Sequence, residues 1–297
     1  LRQVLTVIKD IEPEITHVQY PTQGFAGKLF PWMIPLLCQL AGSRVVQTWH
    51  ESFALWRLPM VALLALVPGI TVVVRPDFLK DLHPGYNWIA HIRDVVYIRS
   101  ASSIPEARLT ESEKRELRSL YPAGKKLLVF FGFLYPGKGV DQIFEFADPL
   151  QWHLVIAGAI PEDQGYLREL QCRSRYPDWR GNVTFAGPLP AMEIAQLLAV
   201  ADGIALPFEM GGGEWNSSLQ AATANRTFVI TTSTKKNGYE ATTDTYYAEP
   251  GNIEEMRRAL QLKLTGALQP DRPTQRVDGW QRIAGEHHAV YRQLCSH

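Results

Sequence analysis

The sequence contains few cysteines, and their spacing excludes two classes of protein. Cys38, Cys172 and Cys295 are the three cysteines among 297 residues, and none belongs to a Cys-x-x-Cys pair or to a Cys/His pattern typical of zinc sites. Their separation argues against a domain held together by disulfides and against a structural zinc ion. We therefore expect a protein of the reducing cytoplasm.

No charge of one sign dominates the sequence, so a general attraction to nucleic acid is not expected. Lysine and arginine number 30 together, as do aspartate and glutamate, and 46% of the residues are hydrophobic. This balance is typical of a folded globular protein and argues against a disordered chain. Any phosphate-bearing partner must then be held by a local site. At 297 residues, the chain is long enough for two domains.

The sequence also lacks an uninterrupted hydrophobic run of the length that spans a bilayer, which is about 20 residues. Leu58–Val74 carries no charge and Leu29–Ser43 is nearly as apolar, but prolines interrupt both. We predict that both segments belong to buried cores. The alternative is a peripheral contact of Phe30, Trp32 and Met33 with the inner face of a membrane.

Strand-like and helix-like segments alternate along the chain, which predicts parallel sheets covered by helices on both faces. A charged helical segment, Leu109–Pro122, separates two such series. We predict an α/β fold of two Rossmann-like domains, 1–104 and 105–297, with the last helix able to cross back to the first domain. Since Leu1 is not a methionine and lies in a helical pattern, we also expect that a segment precedes it. The predicted strands are Ile15–Tyr20, Arg44–Trp49, Ile70–Val74, Asp94–Ile98, Lys126–Gly132, His153–Gly158, Asn182–Gly187, Gly203–Phe208 and Thr227–Ser233.

The first candidate site is the loop after the first strand of the second series, because ligands in such folds bind at the carboxyl ends of the strands. Lys138 lies there between Gly137 and Gly139, at the start of a helical segment. A lysine beside a helix N-terminus suits anionic oxygen. The motif is neither a Walker loop nor Gly-x-Gly-x-x-Gly. A solvated lysine in an ordinary loop is the alternative.

The second candidate site has the same arrangement and begins with three consecutive glycines, Gly211–Gly213. Asn216 or Ser217 suits the N-cap of the helix that follows, where Ser217 and Ser218 place hydroxyls beside free backbone N–H groups. Gln220 lies one turn further on. The glycines would let the backbone approach a ligand closely. Alternatively, they form only a turn.

The second half of the chain contains, in order, the segments "FFGFLYPGKGVDQIFEFA", "HLVIAG", "NVTFAGPLPAMEIAQLLAVADGIALPF", "SSLQAATANRTFVITT" and "YAEPGNIEEMRRAL". In this order they resemble the second domain of a family 4 glycosyltransferase of the GT-B fold. "PEITHVQYPTQGF" and "RVVQTWHES" resemble the later part of that fold's first domain, and the first strand with its glycine loop is absent. "WQRIAGEHHAVYRQLC" is similar to the family's closing helix.

The resemblance implies roles for the donor-binding residues. Lys138 would hold the donor diphosphate, in a loop shaped by Gly132 and Gly139. The backbone of Pro188 and Leu189 would receive the nucleobase. The remaining donor contacts that the resemblance implies are Ser217 and Ser218 at the phosphates, Gln220 at the ribose, and Gly211, Gly212, Gly213 and Glu214 at the sugar.

Catalytic roles follow from the same resemblance, with departures from the family pattern. His50 matches a first-domain histidine that faces the donor sugar across the cleft. Glu209 or Glu214 would serve as the first of two glutamates, and we favour Glu209 because it directly follows the strand. Gln220 replaces the second glutamate, and Phe133 stands where the family often has an arginine. Both replacements bear on how strongly the donor is bound.

The function implied is transfer of a sugar from a nucleotide diphosphate sugar to a saccharide or lipid-linked acceptor hydroxyl, with retained anomeric configuration. The resemblance implies no further cofactor and, since no Asp-x-Asp motif is present, no bound metal. A cytoplasmic protein, peripheral at the inner membrane face, would fit this function. Two alternatives remain, a non-catalytic nucleotide-sugar-binding protein and a sugar-nucleotide epimerase, for which Glu51, Glu209 and Glu214 are the candidate acids and bases.

Overall fold

A computed structural model describes residues 2–20, 28, 30–50, 53–159, 165–213, 215–271 and 279–296. The chain divides into two compact units, of which the first comprises Leu1–Ala101 with Val277–His297 and the second Ser102–Arg276. Each unit has its own sheet, so the predicted separation into two Rossmann-like halves is confirmed. The boundary lies three residues before the predicted one, and the last helix belongs to the first unit.

The first unit is built on a four-stranded sheet in the order β1-β2-β3-β4, and every pairing is parallel. Its strands are β1 (Ile15–Tyr20), β2 (Arg44–Trp49), β3 (Ile70–Val73) and β4 (Asp94–Tyr97). Its helices are α1 (Arg2–Ile11), α2 (Phe30–Leu40), α3 (Leu58–Leu66), α4 (Ile89–Ile92) and α11 (Gly279–Cys295). β2 and β3 are almost wholly buried, as their continuous apolar sequences predict.

The two apolar segments of this unit form helices that pack on one another and on the sheet. Trp32 on α2 and Leu64 on α3 are buried with Trp49 of β2 in one core cluster. None of the helices in the described part of the chain has the length and apolar character needed to cross a bilayer. The burial of Trp32 removes it from the surface contact considered above, although 41% of Met33 is exposed.

The last helix, α11, covers a face of the first sheet. Val290 is 4% exposed and belongs to one core cluster with Val46, Val72 and Ile98. The hydroxyl of Tyr291 lies 2.7 Å from Nδ1 of His17 on β1. The first unit is therefore discontinuous in sequence, since α11 completes its core.

The second unit contains a seven-stranded sheet in the order β10-β11-β9-β8-β5-β6-β7. Its strands are β5 (Lys126–Phe131), β6 (Trp152–Ala157), β7 (Val183–Phe185), β8 (Gly203–Leu206), β9 (Val229–Thr232), β10 (Gly238–Glu240) and β11 (Thr245–Ala248). Its helices are α5 (Glu111–Ser119), α6 (Val140–Phe146), α7 (Gly165–Arg173), α8 (Ala191–Val200), α9 (Ser217–Ala224) and α10 (Ile253–Leu264). The sequence did not predict β10 and β11, and β10 pairs antiparallel to β11, whereas the other pairings in this sheet are parallel.

The segment that enters the second unit is fixed by two capping interactions. Thr110 and Glu113 form a capping box at the start of α5, which stops the helix from extending back toward the linker. Asn225 accepts from the backbone N–H of Ala107 at 2.9 Å and donates to the carbonyl oxygen of Pro105 at 3.2 Å. The start of this unit is thus held against the end of α9.

Candidate donor site

The two candidate loops lie side by side, because β5 and β8, the strands that precede them, are paired in parallel. The backbone N–H of Glu209 donates to the carbonyl oxygen of Gly137 at 3.3 Å and joins the loops directly. A Cβ at Gly132 would lie 3.7 Å from Oγ of Ser218, so the start of α9 also faces the end of β5. The expectation that both loops open at one sheet edge is confirmed.

Lys138 lies at the end of a 3₁₀ turn, Pro136–Lys138, and is half-buried. Its ammonium group lies 4.7 Å from the ring centroid of Phe208 and 5.3 Å from that of Tyr135. Each ring face attracts the cation, at about 0.5–1 kcal/mol when exposed to solvent. The two rings therefore hold the ammonium group at the mouth of both loops. The sequence analysis placed Lys138 in this loop but did not predict the two rings beside it.

The backbone conformation and surroundings of position 139 explain why a glycine follows Lys138. Its φ of 64° is left-handed, and it both ends the 3₁₀ turn and precedes the first residue of α6. A Cβ there would collide with the carbonyl oxygen of Pro207, in the segment after β8. The loop thus approaches the neighbouring strand end at a distance that only glycine permits.

The three consecutive glycines, Gly211–Gly213, lie close to other residues of the same unit. Gly211 has a φ of 75° and donates its N–H to the carbonyl oxygen of Phe208 at 3.0 Å. Gly212 is buried, and a Cβ there would lie 2.6 Å from Cδ2 of Phe208. A Cβ at Gly213 would collide with the indole of Trp215. Position 212 therefore lies inside the unit, where the ring of Phe208 occupies the space that a side chain would need.

Asn216, rather than Ser217, is the N-cap of α9. Its side-chain oxygen accepts from the N–H groups of Ser218 at 2.9 Å and Leu219 at 3.3 Å. The side chain of Asn216 therefore occupies two of the N–H groups at the start of α9 that could otherwise bind an anion. Ser217 is exposed and Ser218 half-buried, so both hydroxyls remain beside the helix start. Gln220 is 9% exposed, with its side chain inside the unit.

The other predicted donor contacts are distributed around the same sheet. Pro188, which is exposed, and Leu189, which packs against the core, follow the edge strand β7. Glu209 is exposed and directly follows Phe208, whereas Glu214 and Glu51 lie outside the described residues. Phe133, in the position of the expected arginine, is 66% exposed.

A cavity of about 460 Å³ at the end of the neighbouring strand β9 was not predicted. A Cβ at Gly211 would lie 3.2 Å from the backbone nitrogen of Thr234, so the cavity adjoins the glycine loop. Lys236 in its lining pairs with Glu240 at 2.9 Å. The lining residues are Ser233, Thr234, Lys235, Lys236, Asn237, Glu249 and Pro250. The short polar run after β9 was the available signal.

His50 lies in the first unit, one residue after β2, and is half-buried. Its Nε2 lies 2.7 Å from Oε1 of Gln19, and its backbone N–H donates to the carbonyl oxygen of Tyr20 at 2.6 Å. Two more histidines lie nearby. Nε2 of His17 is 3.2 Å from the amide nitrogen of Gln19, and the rings of His17 and His287 are 5.3 Å apart. Burial, and then the charges of His287 and His50, lower the pKa of His17 to about 4. Within the described residues, no group of three or more His, Cys, Asp or Glu side chains could hold a metal ion.

The two units define an α/β protein of the GT-B fold, and several solved structures share this fold. The Anabaena protein HepE, in complex with UDP and glucose, is 15% identical with a TM-score of 0.74, over 100% of this chain and 82% of that one. Sucrose-phosphate synthase from Thermosynechococcus elongatus is 16% identical with a TM-score of 0.69, over 100% and 78%. The catalytic domain of starch synthase IV from Arabidopsis thaliana, bound to ADP and acarbose, is 13% identical with a TM-score of 0.70, over 100% and 76%.

A narrower similarity concerns the second unit. Residues 125–265, from β5 to the end of α10, match the model of a family described as glycosyl transferases group 1. A search of curated protein sequences finds no match. The family match and the fold together support sugar transfer. Membership of family 4 remains a prediction.

Proposed function

We propose that the protein transfers a sugar from a nucleoside diphosphate sugar to a hydroxyl of a saccharide or lipid-linked acceptor, and that the anomeric configuration is retained. The observation that carries the proposal is the pair of joined loops at the ends of β5 and β8, inside the segment that matches the group 1 family. In parallel α/β sheets, this edge is where ligands bind.

Lys138 would stabilise the diphosphate as negative charge develops on it during transfer. A cation held in place before the reaction costs little reorganisation when that charge appears. The rings of Phe208 and Tyr135 supply such a fixed position. Ser217 and Ser218 would add hydroxyl donors to the phosphates from the start of α9.

The remaining donor would extend from these phosphates in two directions. Gln220 would hydrogen-bond the ribose hydroxyls, without the extra strength of a charged partner. Pro188 and Leu189 would meet the nucleobase. The glycine loop and Glu209 would lie at the sugar, with His50 of the first unit as the second catalytic group. We expect no cofactor beyond the nucleotide sugar.

A donor screen tests this function. Relatives by fold were crystallised with UDP, UDP-glucose or ADP, so the panel should contain uridine and adenosine diphosphate sugars together with guanosine ones. With saccharide and lipid-linked acceptors present, we expect release of one nucleoside diphosphate and formation of a glycoside whose anomer matches the donor.

The alternatives give different results in the same screen. An epimerase would change the sugar without releasing the nucleotide. A non-catalytic binding protein would be thermally stabilised by the nucleotide, because binding to the native state raises apparent stability, yet it would leave the donor intact. Release with inversion would refute the stereochemical part of the proposal alone.

A further inference from the structure

The cavity at the end of β9 lies at the same edge of the second sheet as the two candidate loops. Strands β11, β9, β8 and β5 are neighbours in that order and pair in parallel, so their carboxyl ends follow one another along this edge. The loop of Lys138 follows β5, the glycine loop follows β8, and the cavity lies beside the ends of β9 and β11. Since neighbouring strands are about 4.8 Å apart, the cavity begins about 10 Å from the end of β5, beyond the glycine loop.

The order of the strands matches the order of the groups in a nucleoside diphosphate sugar. Pro188 and Leu189, the proposed contacts of the nucleobase, follow β7 at the other end of the same edge. The phosphates would lie at the end of β5, and the sugar would lie at the glycine loop after β8. The cavity is the next position along this row. In a transfer reaction, the group beyond the transferred sugar is the acceptor.

The glycine loop touches the wall of the cavity directly. The N–H of Gly212 donates to the carbonyl oxygen of Thr232, the last residue of β9, at 2.7 Å. A Cβ at Gly211 would lie 3.2 Å from the backbone nitrogen of Thr234 and 3.4 Å from Cα of Ser233. A sugar held at the glycine loop would therefore border the cavity.

Backbone hydrogen bonds fix the walls of the cavity. Oγ of Ser233 accepts from the N–H groups of Lys235 at 3.1 Å and Lys236 at 3.0 Å. The N–H of Ser233 donates at 2.9 Å to the carbonyl oxygen of the last residue of β11, which joins the two strand ends. The N–H of Glu249 donates to Oε2 of Glu255 at 3.0 Å. A site whose walls are already ordered loses less entropy when it binds a ligand.

The lining offers hydrogen-bond donors and acceptors with little net charge. Among the residues that the structure describes, the amide of Asn237 and the carboxylate of Glu249 have no partner, and both residues are exposed. The charges of Lys235 and Lys236 are balanced by Glu249 and by Glu240, which pairs with Lys236 at 2.9 Å. An amide donates and accepts, and a carboxylate accepts, so the two groups suit hydroxyls. A carboxylate repels an anion, and polar walls do not favour a hydrocarbon chain.

We propose that this cavity binds the saccharide part of the acceptor, with Asn237 and Glu249 hydrogen-bonded to its hydroxyl groups. The inference rests on the function proposed above and gives one of its substrates a place in the second unit. The volume of about 460 Å³ suits such a ligand, because small-molecule sites measure about 300–1,000 Å³. The sugar bound there is uncharged, and the lipid of a lipid-linked acceptor lies outside the cavity.

NMR of the full chain labelled with ¹⁵N-lysine tests binding at this site without any turnover. The backbone signals of Lys235 and Lys236 are assigned from their loss in Lys235→Arg and Lys236→Arg. The probes are methyl glycosides of glucose, galactose, mannose and N-acetylglucosamine. We expect at least one probe to shift both signals and to leave that of Lys114, on α5, in place.

Two variants and a control connect these shifts to the lining. Glu249→Gln and Asn237→Ala should each weaken glycoside binding about tenfold or more, in keeping with the loss of one hydrogen bond. Glu116→Gln, which removes an exposed carboxylate on α5, should leave the affinity unchanged. Signals that no probe shifts, or equal affinities in all three variants, would overturn the proposal. Inorganic phosphate that shifts the signals and displaces the glycoside would show an anion site instead.

Kinetics with the donor and acceptor found in the screen distinguishes the two substrates. Asn237→Ala and Glu249→Gln should each raise the KM of the acceptor about tenfold or more, with a much smaller change in the KM of the donor. An equal rise in the KM of the donor would assign the cavity to the donor and refute the proposal.

The two tests separate this proposal from the function on which it rests. If no donor releases its nucleotide, the proposed function fails, and the glycoside titration alone decides what the cavity binds. If a donor is turned over and both variants have the acceptor KM of Glu116→Gln, the role of the cavity is refuted while sugar transfer stands.

Discussion

At the scale of single residues, the ammonium group of Lys138 gives the most direct test of the donor site. Lys138→Ala should weaken nucleoside diphosphate binding by about 1.5–3 kcal/mol, the value of a hydrogen bond to a charged group, or about ten- to a hundredfold in Kd. Calorimetry measures the loss. Lys114→Ala is the matched control, since Lys114 pairs with Glu111 on the exposed face of α5. Equal affinities in both variants would exclude Lys138 as a ligand.

His17 gives a second prediction at this scale, which concerns stability. Above about pH 6.5 the group is neutral in both the folded and the unfolded chain. Between that pH and the folded-state pKa of about 4, His17 binds a proton in the unfolded chain but not in the folded chain. Acidification therefore lowers the free energy of unfolding. Urea unfolding at pH 7 and pH 5 should show a smaller loss in His17→Gln than in the unchanged protein. An equal loss would show that His17 titrates normally.

At the scale of elements, the start of α9 separates a stabilising role from a binding role. Asn216→Ala should cost about 0.5–2 kcal/mol of stability because two helix N–H groups lose their acceptor. Asn216→Asp keeps the cap, since the two residues cap helices equally well, but it places a negative charge beside the proposed phosphates. We expect unchanged urea unfolding and weaker nucleoside diphosphate binding in Asn216→Asp. Unchanged binding would place the phosphates elsewhere.

The glycine loop gives the other prediction for an element. Gly212→Ala should cost about 1–3 kcal/mol, because the new methyl group displaces the ring of Phe208 in a packed site. Chemical unfolding measures this cost. Gly285→Ala is the control, since Gly285 lies in α11 with nothing within 4 Å of the place that a methyl group would take, and it should gain up to about 1 kcal/mol in helix propensity. A stable Gly212→Ala variant would contradict the packing explanation.

The sequence predicts an element well when the residues that determine it are neighbours in the chain. The buried strands were predicted to within about two residues, because a strand covered on both faces is continuously apolar. β10 and β11 were missed because they carry tyrosine, threonine and glutamate without such a run. The rings around Lys138 were missed for another reason. Phe208 meets Lys138 only because β8 pairs with β5, and no pattern along the chain reports that pairing.

At the scale of the whole molecule, the two units should differ when they are isolated. Residues 102–276 contain one complete sheet and the core cluster that covers it, so this segment should fold alone. Residues 1–101 lack α11, and the face of their sheet around Val46 and Val72 would be exposed to water. Circular dichroism and cooperative urea unfolding should show a folded 102–276 and an unstable 1–101. Adding back residues 277–297 by a short linker should restore the first unit.

The discontinuity of the first unit has a consequence for the order of events on the ribosome. Domains usually fold as units while the chain emerges, beginning at the N-terminus. Here the strands β1 to β4 leave the ribosome before the second unit but must wait for α11, which follows the entire second unit in the chain. The second unit can therefore complete its fold before the first. A nascent chain that stops before Gly279 would expose His17 and the apolar sheet face that α11 otherwise covers, as a target for chaperones and proteases.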